Sequence, residues 1–306
     1  MTRPGAARVA IILLNHNGLQ LTRDCLRSLL AIDYPDYRVF VIDNGSARDE
    51  SVPLTAEFGD SIDIRRNQEA LGFCVGNNQG MRLALEQGFD YLLLLNNDTR
   101  VERSFLTELV RLMESDPRIG VVGPKVLDFN QPPGVDTVGG DLNLWIARHV
   151  HFRRPYPEVR TDLTFINGCA FLLRRQAVEQ VGLLDEDYYA YWEEGDYCLR
   201  LRRAGWRIAC NPRSVIYHKG GQTNRYLSNL YIYYMVRNGF LCMKKNGRWY
   251  QWPSFTFCFL SSSVAKYSVY LLLKRPREVG VVAEALGDFL QGRLGRKDFA
   301  PLPAGS

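Results

Sequence analysis

The sequence predicts an α/β fold, in which a mostly parallel central sheet is flanked by helices. Strand-like and helix-like segments alternate through the first half, and several strand-like segments are continuous apolar runs. Such runs are typical of parallel strands buried on both faces. Polar clusters follow three of the strands, at residues 15–18, 43–46 and 96–99. Because ligands bind at the carboxyl ends of strands in such sheets, these clusters predict a common site.

The elements of the first half follow from hydrophobic periodicity and breaker residues. Strands are predicted at residues 8–14, 39–42, 62–65, 91–95 and 119–123. Helices are predicted at 76–87, at 103–113 and after the first strand, where Thr22 can cap a helix carrying Cys25, Leu26, Leu29 and Leu30 on one side. Gly88 is expected to end the helix at 76–87.

The second half is less regular. Residues 125–160 are predicted to form loops and short strands, followed by strands at 164–173, 207–210 and 215–217 and by helices at 194–204 and 226–245. An apolar run at 255–273 contains serines and a lysine, which favours a helix lying in a membrane interface, with Trp249 and Trp252 as anchors. A spanning helix and a core helix pair remain alternatives. We therefore predict a catalytic domain at 1–223 and a C-terminal helical, membrane-associated region at 224–306.

Composition narrows the possible partners. The 306 residues carry a net charge of +5, which suits partners that contain phosphate. Helix-turn-helix, zinc-finger and RNA-recognition signatures are absent from the sequence, so nucleic acid is not an expected partner. The seven cysteines form no CxxC pair, and no signal peptide is recognisable. These features favour a cytoplasmic protein with reduced thiols.

Two acidic residues follow buried strands. Asp43 could accept hydrogen bonds from a ribose or from the ring N–H of uracil or thymine, but Asp43 to Ser46 is also favourable turn chemistry. Asp98 could bind a divalent cation together with a diphosphate, or it could cap the helix that follows. The residues alone leave both alternatives open.

Two further groups carry possible chemistry. Glu193, Glu194 and Asp196 form the densest acidic cluster, and aromatic neighbours could raise a carboxylate pKa to suit a general base. Acidic residues are also favoured at a helix N-terminus for structural reasons. His218 follows a buried strand and could complete a metal site begun by Asp98, or it could be structural.

Six motifs in a fixed order carry a resemblance to glycosyltransferase family 2, an inverting family whose catalytic domain has the GT-A fold. The resemblance covers residues 9–223. The motifs are IILLNHNG at 11–18, VIDNGS at 41–46, Asn67 with GF at 72–73 and GNNQG at 76–80, LLNNDT at 94–99, NGCAFLLRR at 167–175, and LDE at 184–186 with WEEGDYCLR at 192–200. The chain looks most similar to bacterial rhamnosyltransferases of the cell envelope.

The resemblance implies a role for each matching position. The residues that would contact the nucleotide sugar are Asn15, Asn17, Asp43, Asn44, Asn67, Gly72, Asn77 and Asn97. Asp98 matches the last acid of the family's DxD motif, with Asn96 in place of the first acid, and His218 matches a metal-binding histidine of some members. Mg²⁺ or Mn²⁺ is the implied cofactor.

Glu194 matches the catalytic base, where many members carry Asp. Asp196 would hold the acceptor or the base loop, and we group Glu193 with these catalytic residues. The implied reaction transfers a sugar from a nucleotide-sugar donor, with dTDP-rhamnose as the leading candidate, to a cell-envelope glycan or polyprenyl-linked acceptor at the inner face of the membrane. A nucleotidyltransferase and a catalytically weak nucleotide-sugar-binding relative are the alternatives, although residues 15–18 are poor in the glycine that a phosphate loop needs.

Overall fold

The computed structural model describes most of the chain, namely residues 5–130, 134–154, 156, 158–220, 229–272 and 276–297. The described residues form two compact units. The first contains those within 1–142, 149–185 and 194–220, and the second contains those within 143–148, 186–193 and 221–306. The predicted boundary between residues 223 and 224 lies outside the described residues.

Eleven strands occur in the described residues. They are β1 (Val9–Asn15), β2 (Tyr37–Asp43), β3 (Ile62–Arg66), β4 (Tyr91–Asn96), β5 (Thr99–Val101), β6 (Ile119–Asp128), β7 (Val135–Thr137), β8 (Gly140–Asn143), β9 (Arg148–His151), β10 (Ala170–Arg174) and β11 (Arg207–His218). β8 and β9 form a small two-stranded sheet, and the other nine form the central sheet.

Nine α-helices occur in the same residues. They are α1 (Leu19–Leu29), α2 (Ser51–Phe58), α3 (Gly72–Glu86), α4 (Phe105–Ser115), α5 (Arg175–Val181), α6 (Glu193–Arg203), α7 (Asn229–Asn246), α8 (Trp252–Leu272) and α9 (Pro276–Leu290). Short 3₁₀ turns at Gly59–Ser61, Glu186–Tyr188 and Trp249–Gln251 complete the set. Within the described residues, no helix is long and apolar enough to cross a bilayer.

The central sheet has the strand order β3-β2-β1-β4-β10-β6-β11-β5, with β7 added beside β6. The pairs β3–β2, β2–β1, β1–β4 and β6–β11 are parallel. β10 lies between β4 and β6 and runs antiparallel to both. The predicted α/β class is therefore confirmed, and one antiparallel strand joins two parallel parts of the sheet.

Strand β1 shows why the central strands are apolar throughout. β1 has a parallel neighbour on each side, and Val9 to Leu13 have no exposed surface. Helix α3 packs closely on this strand because Gly76 and Gly80 have no side chains. A Cβ atom at these glycines would lie 2.3 Å from a methyl of Leu14 and 2.5 Å from a methyl of Ile12, respectively. The spacing of the two glycines thus determines how closely helix and strand approach.

Several local predictions were wrong. Helix α1 begins at Leu19, so Thr22 does not cap it. Thr22 is buried, and its hydroxyl donates a hydrogen bond to Asn15 Oδ1 at 2.8 Å. The two strands predicted at 207–210 and 215–217 are one strand, β11, with an irregularity between Asn211 and Val215. The strand predicted at 164–173 begins only at Ala170.

The second unit is built on helix α7, which holds an unusual backbone segment. Tyr189, Tyr191 and Trp192 have φ angles of 60°, 67° and 76°, a region that bulky residues avoid. Asn238 is fully buried, and its Nδ2 lies 2.7 to 2.9 Å from the carbonyl oxygens of residues 188, 190 and 191. Its neighbour Arg237 donates to the carbonyls of residues 187 and 188. The two side chains therefore stabilise the strained segment just before α6.

We expect Asn238→Ala to lower the free energy of unfolding by about 2–4 kcal/mol, because it leaves buried carbonyls unpaired and frees strained backbone. Urea denaturation followed by circular dichroism measures the loss. Asn246→Ala, at a partly buried position in the last turn of the same helix, is the matched control and should cost less than about 1 kcal/mol. Equal losses in the two variants would contradict the stabilising role of Asn238.

Candidate active site

The carboxyl ends of β1, β2 and β4 lie side by side, as the polar clusters predicted. Asn15 is opposite Asp43 in the register of β1 and β2, and Asn96 is opposite Leu14 in the register of β1 and β4. All three clusters therefore meet at one edge of the sheet in the first unit. This edge is the site at which a parallel sheet of this kind binds its ligand.

Asn15 connects these loops. Its side chain is fully buried, and Nδ2 donates to Glu50 Oε2 at 2.8 Å and to Asp43 Oδ1 at 3.2 Å. Its Oδ1 accepts from Thr22 Oγ1 at 2.8 Å and lies 3.4 Å from Asn97 Nδ2. Asn15 and Asn97 thus connect the loops to one another through side-chain hydrogen bonds. Sequence reasoning missed Glu50, which follows Asp49 in a polar loop.

Asp43 is fully buried and has two different oxygens. Oδ1 accepts from the hydroxyl of Ser46 at 2.5 Å and from its backbone N–H at 3.3 Å. Oδ2 lies 3.5 Å from Arg66 Nε and accepts no hydrogen bond from the described residues. Oδ2 is therefore the atom able to accept an N–H from a ligand. Asn17, with a φ of 50°, accepts the N–H of Ala47 and shapes the adjoining loop.

The remaining predicted donor-binding amides hold one loop to another. Asn44 Nδ2 donates to the carbonyl of Gly72 at 3.1 Å, and Asn44 Oδ1 accepts from Asn67 Nδ2 at 3.1 Å. Asn67 and Gln79 exchange two amide hydrogen bonds of 2.9 and 3.0 Å. Asn77 donates to a carbonyl one turn back in α3. These hydrogen bonds hold the loops beside the candidate site in place. The contacts of these residues with a donor stay predictions.

Asp98 and His218 are brought together by the pairing of β5 with β11. Thr99 is opposite His218 in this register, and the N–H of Lys219 donates to the carbonyl of Asp98 at 3.0 Å. His218 Nε2 consequently lies 3.2 Å from Asp98 Oδ1. Burial lowers the pKa of His218, but Asp136 and Asp98 outweigh it and raise the pKa to about 9. The predicted pair of metal-binding side chains is thus adjacent in the fold.

Asp136, on β7, was not singled out from the sequence. Its Oδ2 lies 4.0 Å from Nδ1 of His218, on the opposite side of the ring from Asp98. A carboxylate behind a ligating histidine orients the ring and raises its basicity. Asp136 gave no sequence signal because it is an isolated acid in a region rich in glycine and proline.

Glu194 occupies the first turn of α6. Its Oε2 is buried and accepts no hydrogen bond from the described residues. Burial raises the pKa of Glu194 to about 7, and a backbone hydrogen bond only partly opposes this. Gly168 packs directly on the side chain, since a Cβ at Gly168 would lie 3.4 Å from the Cβ of Glu194. A carboxylate in this state can accept a proton near neutral pH.

The pKa of the Cys169 thiol depends on three carboxylates of the candidate site. Burial raises the pKa of its thiol well above the ordinary value, and the charges of Asp136, Asp98 and Glu194 raise that pKa further. These three carboxylates come from β7, from the loop after β4 and from α6. They therefore lie within electrostatic reach of one atom, although the chain separates them widely.

The other members of the acidic cluster differ from Glu194. Asp196 is buried, and its Oδ2 accepts from Arg200 Nε at 2.8 Å. Arg200 also donates to the carbonyls of residues 181 and 183, so Asp196 helps to anchor α6 to the preceding loop. Glu193 is also buried and belongs to the second unit.

A cavity of about 260 Å³ opens beside Asp98. Lys219 and Arg27 contribute cationic side chains to its lining, and Phe129 and Leu21 contribute apolar surface. Among the described residues, no three His, Cys, Asp or Glu side chains are grouped closely enough to chelate a metal. Asp98 and His218 would therefore fit a cation that takes its remaining ligands from a bound diphosphate, as Mg²⁺ commonly does.

The fold belongs to the GT-A class. A mannosyltransferase from Pyrobaculum calidifontis, solved with GDP-Man and Mn²⁺, superposes with a TM-score of 0.59 at 17% identity, covering 94% of this chain and 76% of that chain. Residues 1–349 of TarS from Staphylococcus aureus, solved with UDP-GlcNAc, give 0.61 at 15% identity, covering 93% and 81%. At these identities the likeness concerns the fold.

The chain belongs to glycosyl transferase family 2, whose sequence profile matches residues 10–182. It is 25% identical over 175 residues to the low-salt glycan biosynthesis hexosyltransferase Agl10 of Haloferax volcanii, covering 56% of each chain. It is 23% identical over 193 residues to the dTDP-rhamnosyl transferase RfbF of Shigella flexneri, covering 60% of this chain and 63% of that one.

A third relative is the N-acetylglucosaminyl-diphospho-decaprenol L-rhamnosyltransferase of Mycobacterium tuberculosis, 29% identical over 178 residues, with coverage of 52% and 57%. The matched region thus spans between 56 and 63% of the length of these three relatives. The family predicted from the motifs is confirmed.

We expect Asp136→Asn to weaken Mn²⁺ binding by about 10- to 100-fold, because the variant loses the charge that orients His218. Isothermal titration calorimetry with Mn²⁺ and a nucleoside diphosphate measures this affinity without any turnover. Asp162→Asn, which removes an exposed carboxylate paired with Arg160, is the matched control and should bind Mn²⁺ normally. Unchanged affinity in Asp136→Asn would exclude the orienting role.

Proposed function

We propose that this chain is an inverting, metal-dependent glycosyltransferase in which Glu194 is the catalytic base. One observation carries the proposal. Glu194, a partly buried carboxylate with a pKa raised to about 7, packs on Gly168, and the next residue, Cys169, accepts the N–H of Asn96, two residues before the candidate metal ligand Asp98. An acceptor-activating base and a site for the leaving diphosphate are the two parts that this reaction requires.

In the proposed reaction, Glu194 accepts the proton of an acceptor hydroxyl. The hydroxyl oxygen forms a bond to the anomeric carbon while the bond from that carbon to the diphosphate oxygen breaks. The nucleoside diphosphate leaves from the opposite face, so the configuration of the sugar inverts. Because the diphosphate is already a good leaving group, this reaction needs no separate acid, unlike glycoside hydrolysis.

Asp98 and His218 would hold a divalent cation, Mg²⁺ or Mn²⁺, with the amide oxygen of Asn96 as a further ligand. When bound, the cation neutralises charge on the departing diphosphate. Lys219 and Arg27, in the cavity beside Asp98, supply further positive charge. At the other end of the donor, Asp43 Oδ2 would accept the ring N–H of a uracil or thymine, since it is a buried acceptor that receives no hydrogen bond from the described residues.

The donor that we propose first is dTDP-L-rhamnose, and the acceptor is a hydroxyl of a cell-envelope glycan or polyprenyl-linked saccharide. The Shigella flexneri and Mycobacterium tuberculosis relatives, both named as rhamnosyltransferases, support this choice. Such an acceptor places the enzyme at the inner face of the cell membrane, in peripheral contact with it. Nucleotidyl transfer is the alternative, but residues 15–18 are poor in the glycine that a phosphate loop needs.

Transfer from radiolabelled dTDP-rhamnose and UDP-hexoses, with and without EDTA, tests the reaction class. We expect Glu194→Gln to lower kcat by about 100- to 10,000-fold, since an amide cannot accept the proton. Donor binding, measured as a thermal shift with Mn²⁺, should be retained. Near-normal turnover in Glu194→Gln would remove this residue from the base role, and release of pyrophosphate in place of nucleoside diphosphate would indicate a nucleotidyltransferase.

The pH dependence provides a second test. Only the ionised form of Glu194 is a base, and its pKa in the fold is about 7. We therefore expect kcat/KM to fall about tenfold per pH unit below that value and to level off above it. Initial rates at saturating metal and limiting donor measure the profile. A rate that is independent of pH through this range would contradict the assignment.

A further inference from the structure

The second unit exposes a group of large aromatic side chains. Trp249 is 83% exposed, Phe257 is 73% exposed and Trp145 is 48% exposed. Tyr250 joins the two tryptophans, because its ring centroid lies 5.7 Å from that of Trp145 and 5.8 Å from that of Trp249. These three residues form one cluster, and we call this cluster, together with the exposed Phe257 of α8 in the same unit, the aromatic face. A soluble surface rarely groups such residues without a partner.

Helix α8 extends the apolar surface beyond the aromatic face. Phe255 and Phe259 are buried against Phe240 of α7, so one side of the helix is already packed. Phe257 and Leu260 point away from that side and are exposed. The exposed apolar side chains of Phe257 and Leu260 are therefore accessible to an external partner.

The stretch of sequence that contains Trp249, Tyr250 and Phe257 has basic residues and no acidic one. In the sequence, no Asp or Glu occurs between Asp196 and Glu278, whereas Lys and Arg recur throughout. Arg148, three residues after Trp145, and Arg248, next to Trp249, are exposed. Neither forms an ion pair with a carboxylate in the described part of the chain, and Arg248 instead donates to the hydroxyl of Tyr250 at 3.1 Å. An anionic partner would complement these two cations.

We propose that the aromatic face docks on the surface of an anionic lipid bilayer, with the rings at headgroup depth and Arg148 and Arg248 against lipid phosphates. Tryptophan and tyrosine prefer this depth because one part of each ring system is apolar and another is polar. Apolar burial and attraction to anionic lipids together produce interfacial binding. This inference rests on the lipid-linked acceptor of the proposed function and identifies the surface that would meet the membrane.

Co-sedimentation of the full chain with vesicles tests the docking. Vesicles of phosphatidylcholine and phosphatidylglycerol in equal parts should bind the wild type, and the double variant Trp249→Ser/Phe257→Ser should bind at least about tenfold more weakly. Val52→Ser, at an exposed apolar position of the first unit, is the matched control and should bind like the wild type. Circular dichroism checks that each variant is folded.

A charge variant separates the electrostatic contribution. Arg148→Glu/Arg248→Glu should lose about tenfold or more in affinity for the anionic vesicles, and added salt should weaken binding of the wild type. Failure of the wild type to bind these vesicles would overturn the proposal, as would undiminished binding of the Trp249→Ser/Phe257→Ser variant. A dimer in light scattering that this variant abolishes would also overturn it, in favour of a second copy as the occupant.

The vesicle assay contains no sugar nucleotide, so its outcome is independent of transfer activity. Donor binding measured by thermal shift in the absence of vesicles reports on the proposed enzyme alone. Vesicle binding without donor binding would leave the membrane surface supported and the enzymatic function contradicted. Donor binding without vesicle binding would support the enzymatic function and contradict the membrane surface.

Discussion

The antiparallel insertion of β10 is the constraint on which the arrangement of the site depends. β10 pairs with β4, and the N–H of Asn96 donates to the carbonyl of Cys169 at 2.9 Å. That single hydrogen bond joins the loop bearing Asp98 to the loop bearing Gly168. Because Gly168 packs on Glu194, the candidate metal ligand and the candidate base are held through one short segment of backbone. A displacement of β10 would therefore move the candidate metal ligand and the candidate base apart.

The acids of the candidate site lie in two kinds of environment, and this difference separates their proposed roles. Asp98 and Asp136 flank His218, so their negative charges are balanced by a histidine whose pKa they raise to about 9. Among the residues that the structure describes, no cationic side chain pairs with Glu194, and burial raises its pKa. The pKa of Asp136 is lowered and that of Glu194 is raised, and carboxylates whose pKa values are pushed apart usually have distinct roles in acid–base chemistry. A divalent cation that displaces the proton of His218 would suit the first environment, and proton acceptance suits the second.

The sequence was sufficient to predict those features that depend on local pattern. Continuous apolar runs identified the parallel strands, and the turn residues after them identified three loops that do meet, because the carboxyl ends of parallel neighbours share one edge. Strand direction was not predictable for β10, since a buried run reads alike in both directions. Thr22 was misassigned because a tertiary partner, Asn15, uses its hydroxyl inside the helix. Asp136 and Asn238 gave no signal, as each acts through partners distant in sequence.

The backbone segment just before α6 is conformationally strained. Three aromatic residues with positive φ precede Glu193, and left-handed geometry at bulky residues costs about 1–3 kcal/mol each. Asn238 and Arg237, both fully buried, offset that cost by donating to the carbonyls of the segment. Because these donors come from α7, which follows the segment by about forty residues in the chain, the left-handed conformation is a tertiary feature that local sequence preference alone would not produce.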